Sequence, residues 1–131
     1  VQADGTLVCF GWNDHGQCNI PADLGPITAV AACYLHTCAV QADGTLVCFG
    51  WNDHGQCNVS ADLGPITAVA AGGEHTCAVQ ADGTLVCFGC NDRGQCTFPA
   101  DLGPITAVAA GGEHTCEVQA DGTLVCFGCN D

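Results

Sequence analysis

The segment Val-Gln-Ala-Asp-Gly-Thr-Leu-Val-Cys-Phe-Gly starts at Val1, Val40, Val79 and Val118, a constant step of 39 residues. Self-similarity at such a period marks a solenoid, a propeller or an open array, and it constrains the fold before any local reading does. The chain reads as one repeat array, with copies at 1–39, 40–78 and 79–117 and a partial copy at 118–131. Copies one and two differ at Ile20/Val59, Pro21/Ser60, Cys33/Gly72, Tyr34/Gly73 and Leu35/Glu74. Copies two and three differ at Trp51/Cys90, His54/Arg93, Asn58/Thr97, Val59/Phe98, Ser60/Pro99 and Ala78/Glu117. A unit this short cannot bury its own apolar face, so neighbouring copies must complete the core.

Within a copy the pattern is all-β. Thr45-Leu-Val-Cys-Phe49 is β-rich, with Leu46 and Cys48 on one face and Val47 and Phe49 on the other. Asp43-Gly44 is the hairpin turn before it, because Gly takes the positive φ that such turns demand. Ile66-Thr-Ala-Val-Ala-Ala71 invites a helix assignment, but Gly64-Pro65 and Gly72-Gly73 bound a run too short for one. It is expected as a strand, followed by a turn and the Glu74–Val79 strand. The expectation is therefore three strands per copy, with a short fourth near Gly55-Gln56-Cys57.

Cysteine supplies the staples. Thirteen of 131 residues are Cys, a density associated with disulfide scaffolds of secreted chains. Cys38 and Cys48 flank Asp43 symmetrically, so a regular hairpin sets them opposite each other at disulfide reach. The same holds for Cys77 and Cys87, and for Cys116 and Cys126. Cys9 shares the phase of Cys48, yet its partner falls before Val1, which makes it a candidate for an external bond. Cys18, Cys57 and Cys96 share another phase. Cys33, Cys90 and Cys129 are additions to the pattern, and Cys90 and Cys129, one period apart, are placed to face each other in adjoining copies. The odd total leaves at least one thiol outside any internal pairing. A reduced intracellular chain with small buried thiols is the alternative.

Charge excludes several function classes. The formal net charge is −13, with one basic residue, Arg93, which opposes nucleic acid and anionic membrane surfaces. No apolar run has the length of a membrane-spanning helix. The chain lacks Met, so it reads as a processed product or part of something larger, and the absence of a leader does not argue against secretion. His54 near Cys57 and His75 near Cys77 put imidazole beside thiol, but four regularly spaced zinc ligands are missing. No dense oxygen-rich loop for calcium is present. No nucleophile stands beside a base. Neither a cofactor, a metal nor catalysis is expected. Asn58-Val59-Ser60 is the one N-glycosylation acceptor.

Gly-Gly-Glu-His-Thr-Cys-Ala-Val, then Asp-Gly-Thr-Leu-Val-Cys-Phe-Gly, then Asn-Asp-His-Gly-Gln resembles the repeat of the regulator of chromosome condensation family. That repeat carries a Gly-x-x-His-Thr segment and a Trp-Gly-x-Asn-x-x-Gly-Gln segment. The resemblance covers the whole chain and implies blades of a β-propeller. Phe10, Phe49, Phe88 and Phe127 depart from it, standing where the family usually has Trp. The copies are too few to close such a ring, so an open arc or helical array is expected. By the resemblance, His36, His75 and His114 bond to backbone inside their own blades. The founding member is an exchange factor for the small GTPase Ran, and other members are scaffolds attached to ubiquitin ligases. The leading expectation here is a non-catalytic, disulfide-stapled extracellular structural protein that self-assembles into a filament or surface layer. An intracellular interaction scaffold is the rival.

Overall fold

The computed structural model of the chain describes residues 5–9, 16, 18–20, 24–32, 35–52, 55–59, 63–91, 94, 96–97 and 103–128. Among these, all regular structure is β. Strands β1 (Ile27–Ala32), β2 (His36–Gln41) and β3 (Leu46–Gly50) form one antiparallel sheet. The same sheet recurs as β4 (Ile66–Ala71), β5 (His75–Gln80) and β6 (Leu85–Gly89), and as β7 (Ile105–Ala110), β8 (His114–Gln119) and β9 (Leu124–Gly128). The three sheets are propeller-like blades in an open arrangement. Each blade straddles the step between copies: the first takes β1 from residues 1–39 and β3 from residues 40–78. Among the described residues no helix is long and apolar enough to cross a membrane.

The hairpin turn shows why the repeated Asp-Gly is needed. Gly44 N donates to Gln41 O at 2.9 Å, and Gln41 N to Thr45 O at 2.9 Å, closing a three-residue loop with Gly in the left-handed region. Gly44 has φ +89°, and its carbonyl accepts from Ile66 N of the next blade at 2.9 Å. A Cβ on Gly44 would stand 2.7 Å from Pro65 Cβ. The residue is thus required for its φ and for the approach of the following blade. Asp43 Oδ1 accepts from Thr45 N at 2.9 Å, and this backbone hydrogen bond holds the carboxyl below its ordinary range.

The core lies between the blades. Cys38, Val40 and Leu46 of the first blade pack with Ile66 and Ala78 of the second, with Phe88 against them. Cys77, Val79 and Leu85 of the second pack with Ile105 of the third, with Phe127 against them. Leu7 takes the place of Leu46 against Ile27 and Ala39, with Cys9 and Phe49 alongside. A strand alternates its faces, so each blade offers a Cys-Val-Leu face forward and an Ile-Ala-Phe face backward. No blade has a core of its own.

The fourth strand expected near Gly55-Gln56-Cys57 is instead a turn. The Asn52 side chain accounts for this: its Oδ1 accepts from Cys57 N at 2.7 Å, while Asn58 N donates to Gly55 O at 3.1 Å. The amides that a strand would offer to a neighbour are used locally.

Candidate functional site: the blade interface and its bare copy

The interface is read best from its polar rung. His36 opens β2 on the forward face and is fully buried. Its Nε2 lies 2.9 Å from Thr76 Oγ1 on β5 of the next blade. Thr76 has one hydroxyl proton and gives it to Gln56 O at 2.8 Å. His36 Nε2 therefore carries the proton and donates, which leaves Nδ1 as a buried acceptor without a partner. His75 repeats the rung one period on, with Nε2 2.9 Å from Thr115 Oγ1. For His36 and His75 the expectation of a bond inside their own blades is corrected here. The strand's first residue faces forward and the next blade's second residue faces back, so His and Thr meet across the interface. Burial pushes His36 down to about 4, with the neighbouring His75 acting the same way. His75 is lowered by burial as well.

Each rung sits beside a staple. Cys38 and Cys48 lie directly opposite each other in the β2–β3 register and are disulfide-bonded, with Cα atoms 4.1 Å apart. Cys77–Cys87 and Cys116–Cys126 are bonded at the same spacing. The Cys38 sulfur touches Thr76 Oγ1 at 3.7 Å and the Cys77 sulfur touches Thr115 Oγ1 at 3.5 Å. Being disulfides, they offer no proton to those hydroxyls.

The third blade shows the same forward face uncovered. His75, Cys77 and Val79 are buried, whereas His114 is exposed and Cys116 and Val118 are half-buried. Leu124 is 64% exposed against 4% for Leu85 at the equivalent place. Sequence periodicity identifies these residues as equivalent, but only packing separates the covered faces from the bare one.

The remaining cysteines lie outside the three disulfides. Cys9 is half-buried in the first interface layer, and burial followed by the nearby Cys18 thiol pushes its pKa up. Cys18, Cys57 and Cys96 are half-buried and Cys90 is buried. Burial pushes Cys57 and Cys96 up to about 11, with Cys90 adding to the effect on Cys96. Cys33 and Cys129, and with them the pairing of Cys90 to Cys129, lie outside the described residues. Asn58 is exposed, and its Oδ1 accepts from Asn52 Nδ2 at 2.7 Å; Ser60 of its acceptor triplet is outside the described residues. Among the described residues no three His, Cys, Asp or Glu side chains come together to hold a metal.

Glu117 was visible in the sequence only as a departure from Ala78. It is fully buried, with neither carboxylate oxygen hydrogen-bonded. Burial, helped by Asp121, raises its pKa.

Known proteins share this architecture. The pattern of the regulator of chromosome condensation (RCC1) repeat matches residues 27–56, 66–95 and 105–131, one match per blade. Prp20p from Saccharomyces cerevisiae superposes with a TM-score of 0.79 at 20% identity, over 91% of this chain and 40% of that one. Human WBSCR16 gives 0.77 at 21%, over 90% and 41%. The ectodomain of the Physcomitrella patens receptor kinase CR4 gives 0.77 at 25%, over 97% and 36%. The chain thus spans roughly two-fifths of the length of these structures. No curated protein sequence matches it. With three matches that together cover more than half of its residues, the chain belongs to the RCC1 repeat family.

Proposed function

We propose that the chain is a non-catalytic, disulfide-stapled structural module that works outside the cell and assembles through its blade faces into a filament or surface layer. One observation carries this reading. Blade joins blade through one repeated pair of faces, His36, Cys38, Val40 and Leu46 against Thr76, Ala78 and Ile66, and the third blade repeats the forward set as His114, Cys116, Val118 and Leu124. The chemistry that fits the face is therefore a backward face of the same repeat: a Thr hydroxyl for the imidazole, an Ala against the strand, an Ile for the Leu. A head-to-tail contact of this kind that does not close on itself propagates as a helical fibre. The three disulfides favour an oxidising compartment. Likeness to a receptor-kinase ectodomain agrees with it. Near-identity of the copies argues against a localised binding or catalytic site, which requires repeats that differ.

The fold likeness to Prp20p, a protein described for its binding to Gsp1p and histones, favours a second reading, an intracellular interaction propeller. Negative-stain electron microscopy of the unreduced protein separates the two. Regular fibres or sheets are expected from the first reading. Discrete rings or monodisperse particles would overturn it and leave the second.

A further inference from the structure

We infer that the Cys77–Cys87 disulfide is a redox-sensitive latch: the carboxyl group of Glu117 loosens the interface that covers this bond, so a dithiol breaks it before its counterpart Cys38–Cys48. The two bonds are close copies. Each joins directly opposite residues of a hairpin, with Cα atoms 4.1 Å apart. In each, the first cysteine is fully buried and the second half-buried. Each is also covered by the back of the following blade. Cys38 packs with Ile66 and Ala78, with Cys48 against the same layer, and its sulfur is 3.7 Å from Thr76 Oγ1. Cys77 packs with Ile105, with Cys87 against the same layer, and its sulfur is 3.5 Å from Thr115 Oγ1. A reductant must reach a sulfur to attack it, so either bond is released by local opening of the blade above it.

The strands that build the two interfaces differ at a single residue. The first strand of every blade is Ile-Thr-Ala-Val-Ala-Ala and the third is Leu-Val-Cys-Phe-Gly. The second is His-Thr-Cys-Ala-Val-Gln in β2 and β5, and His-Thr-Cys-Glu-Val-Gln in β8. Ala78 follows Thr76 by two positions and Glu117 follows Thr115 by two, so each faces the preceding blade. Ala78 is fully buried and has no polar group to satisfy. Glu117 is fully buried with neither carboxylate oxygen hydrogen-bonded. A polar group sealed without a partner regains water when the interface opens. The second interface therefore opens more readily than the first, by roughly 5–30-fold.

The reaction requires a reductant, and the fitting class is a small dithiol such as dithiothreitol. One of its thiolates attacks a sulfur of the Cys77–Cys87 bond, a mixed disulfide forms, and the other cysteine leaves as a thiolate. The second thiolate of the reductant attacks the reductant sulfur of that mixed bond, closes a ring and expels the remaining cysteine thiolate. The two protons given up by the dithiol end on the two cysteines, so the chain gains two electrons and the reductant loses them. The β5–β6 hairpin is then without its staple, and the array comes apart at its second interface before its first.

The two bonds serve as each other's control. The oxidised 131-residue chain is exposed to dithiothreitol at neutral pH, quenched at intervals with N-ethylmaleimide, digested with pepsin and read by mass spectrometry. Cys77–Cys87 should open roughly 5–30-fold faster than Cys38–Cys48. Glu117→Ala, which restores the residue of β2 and β5, should bring the two rates together. Ala78→Glu, which puts the carboxyl group in the first interface, should speed the opening of Cys38–Cys48 instead. Equal rates in the unmutated chain overturn the inference. So does a preference for Cys77–Cys87 that survives Glu117→Ala, since the place of the blade in the chain then sets the rate. A folded Ala78→Glu variant that leaves Cys38–Cys48 as slow as before overturns it too. Both interfaces lie within one chain, so the outcome does not depend on whether the chain assembles.

Discussion

Replacing Glu117 by Ala should stabilise the third blade. Ala stands at the equivalent positions 39 and 78, and both are fully buried, so the smaller side chain is the one the interface accommodates. At 117 a carboxyl group is closed to solvent with neither oxygen hydrogen-bonded. Its contact surface is sealed, but the atoms beyond are few in so thin an array, and the low end of the usual penalty applies. A buried polar group left unsatisfied costs about 1–2 kcal/mol, a factor of roughly 5–30 in an opening equilibrium. The pH dependence has a definite sign. The folded-state pKa of Glu117 is raised above 4.5, so the folded form holds a proton that the unfolded form has released. Stability is fullest below the unfolded value and declines as pH rises through the folded one. Asp121 contributes to the raised value. His75 on the preceding blade has a pKa lowered by burial. Amide hydrogen exchange of β8, corrected for intrinsic rates, measures the effect directly. Glu117→Ala should slow exchange relative to the unmutated chain, by a ratio that grows from pH 5 to pH 8. Glu117→Gln should show exchange that does not vary with pH through this group. Equal protection in Glu117→Ala and the unmutated chain at pH 8 would refute the reasoning.

Thr76→Val removes the acceptor of His36 Nε2–H and should destabilise the first interface by about 1–3 kcal/mol, read as faster exchange in β2 and β5 with little change in β8. Gly44→Ala combines a positive φ with a clash against Pro65 and should cost more than about 1 kcal/mol in a urea melt of the oxidised chain. Acid should weaken the array before its carboxylates matter. His36 stays neutral in the fold down to about 4, whereas an ordinary His takes a proton near 6.5. Stability therefore falls as pH drops between those values, and thermal melts at pH 7 and pH 5 should show it, less so in Thr76→Val.

Much of the blade was legible in the chain itself. Ile66–Ala71 is a strand because Gly-Pro and Gly-Gly bound it, and those breakers are plain in the sequence. The symmetric placement of Cys38 and Cys48 about Asp43 depends only on the pairing rule for a hairpin. The need for neighbouring copies followed from the size of the unit, and the interface layers of Cys38, Val40 and Leu46 with Ile66 and Ala78 meet it. The His–Thr rung was not legible. Its partners are 40 residues apart, one more than the period, and that offset arises only when successive blades stack with opposite faces in contact. The turn at Gly55-Gln56-Cys57 was misread because β propensity says nothing about an Asn52 side chain that takes the strand's amide. Glu117 showed in the sequence only as a departure from Ala78, since no local rule buries a carboxylate without a partner.

The central claim is that the forward face of the third blade is a docking surface for a backward face of the same repeat. Sedimentation velocity of the oxidised chain over a range of concentrations, beside Leu124→Asp, tests it most directly. The claim requires the unmutated chain to sediment progressively faster as concentration rises, with Leu124→Asp held at the monomer value and its disulfides intact. An unmutated chain that stays monomeric throughout, or a Leu124→Asp variant that associates equally well, would contradict it.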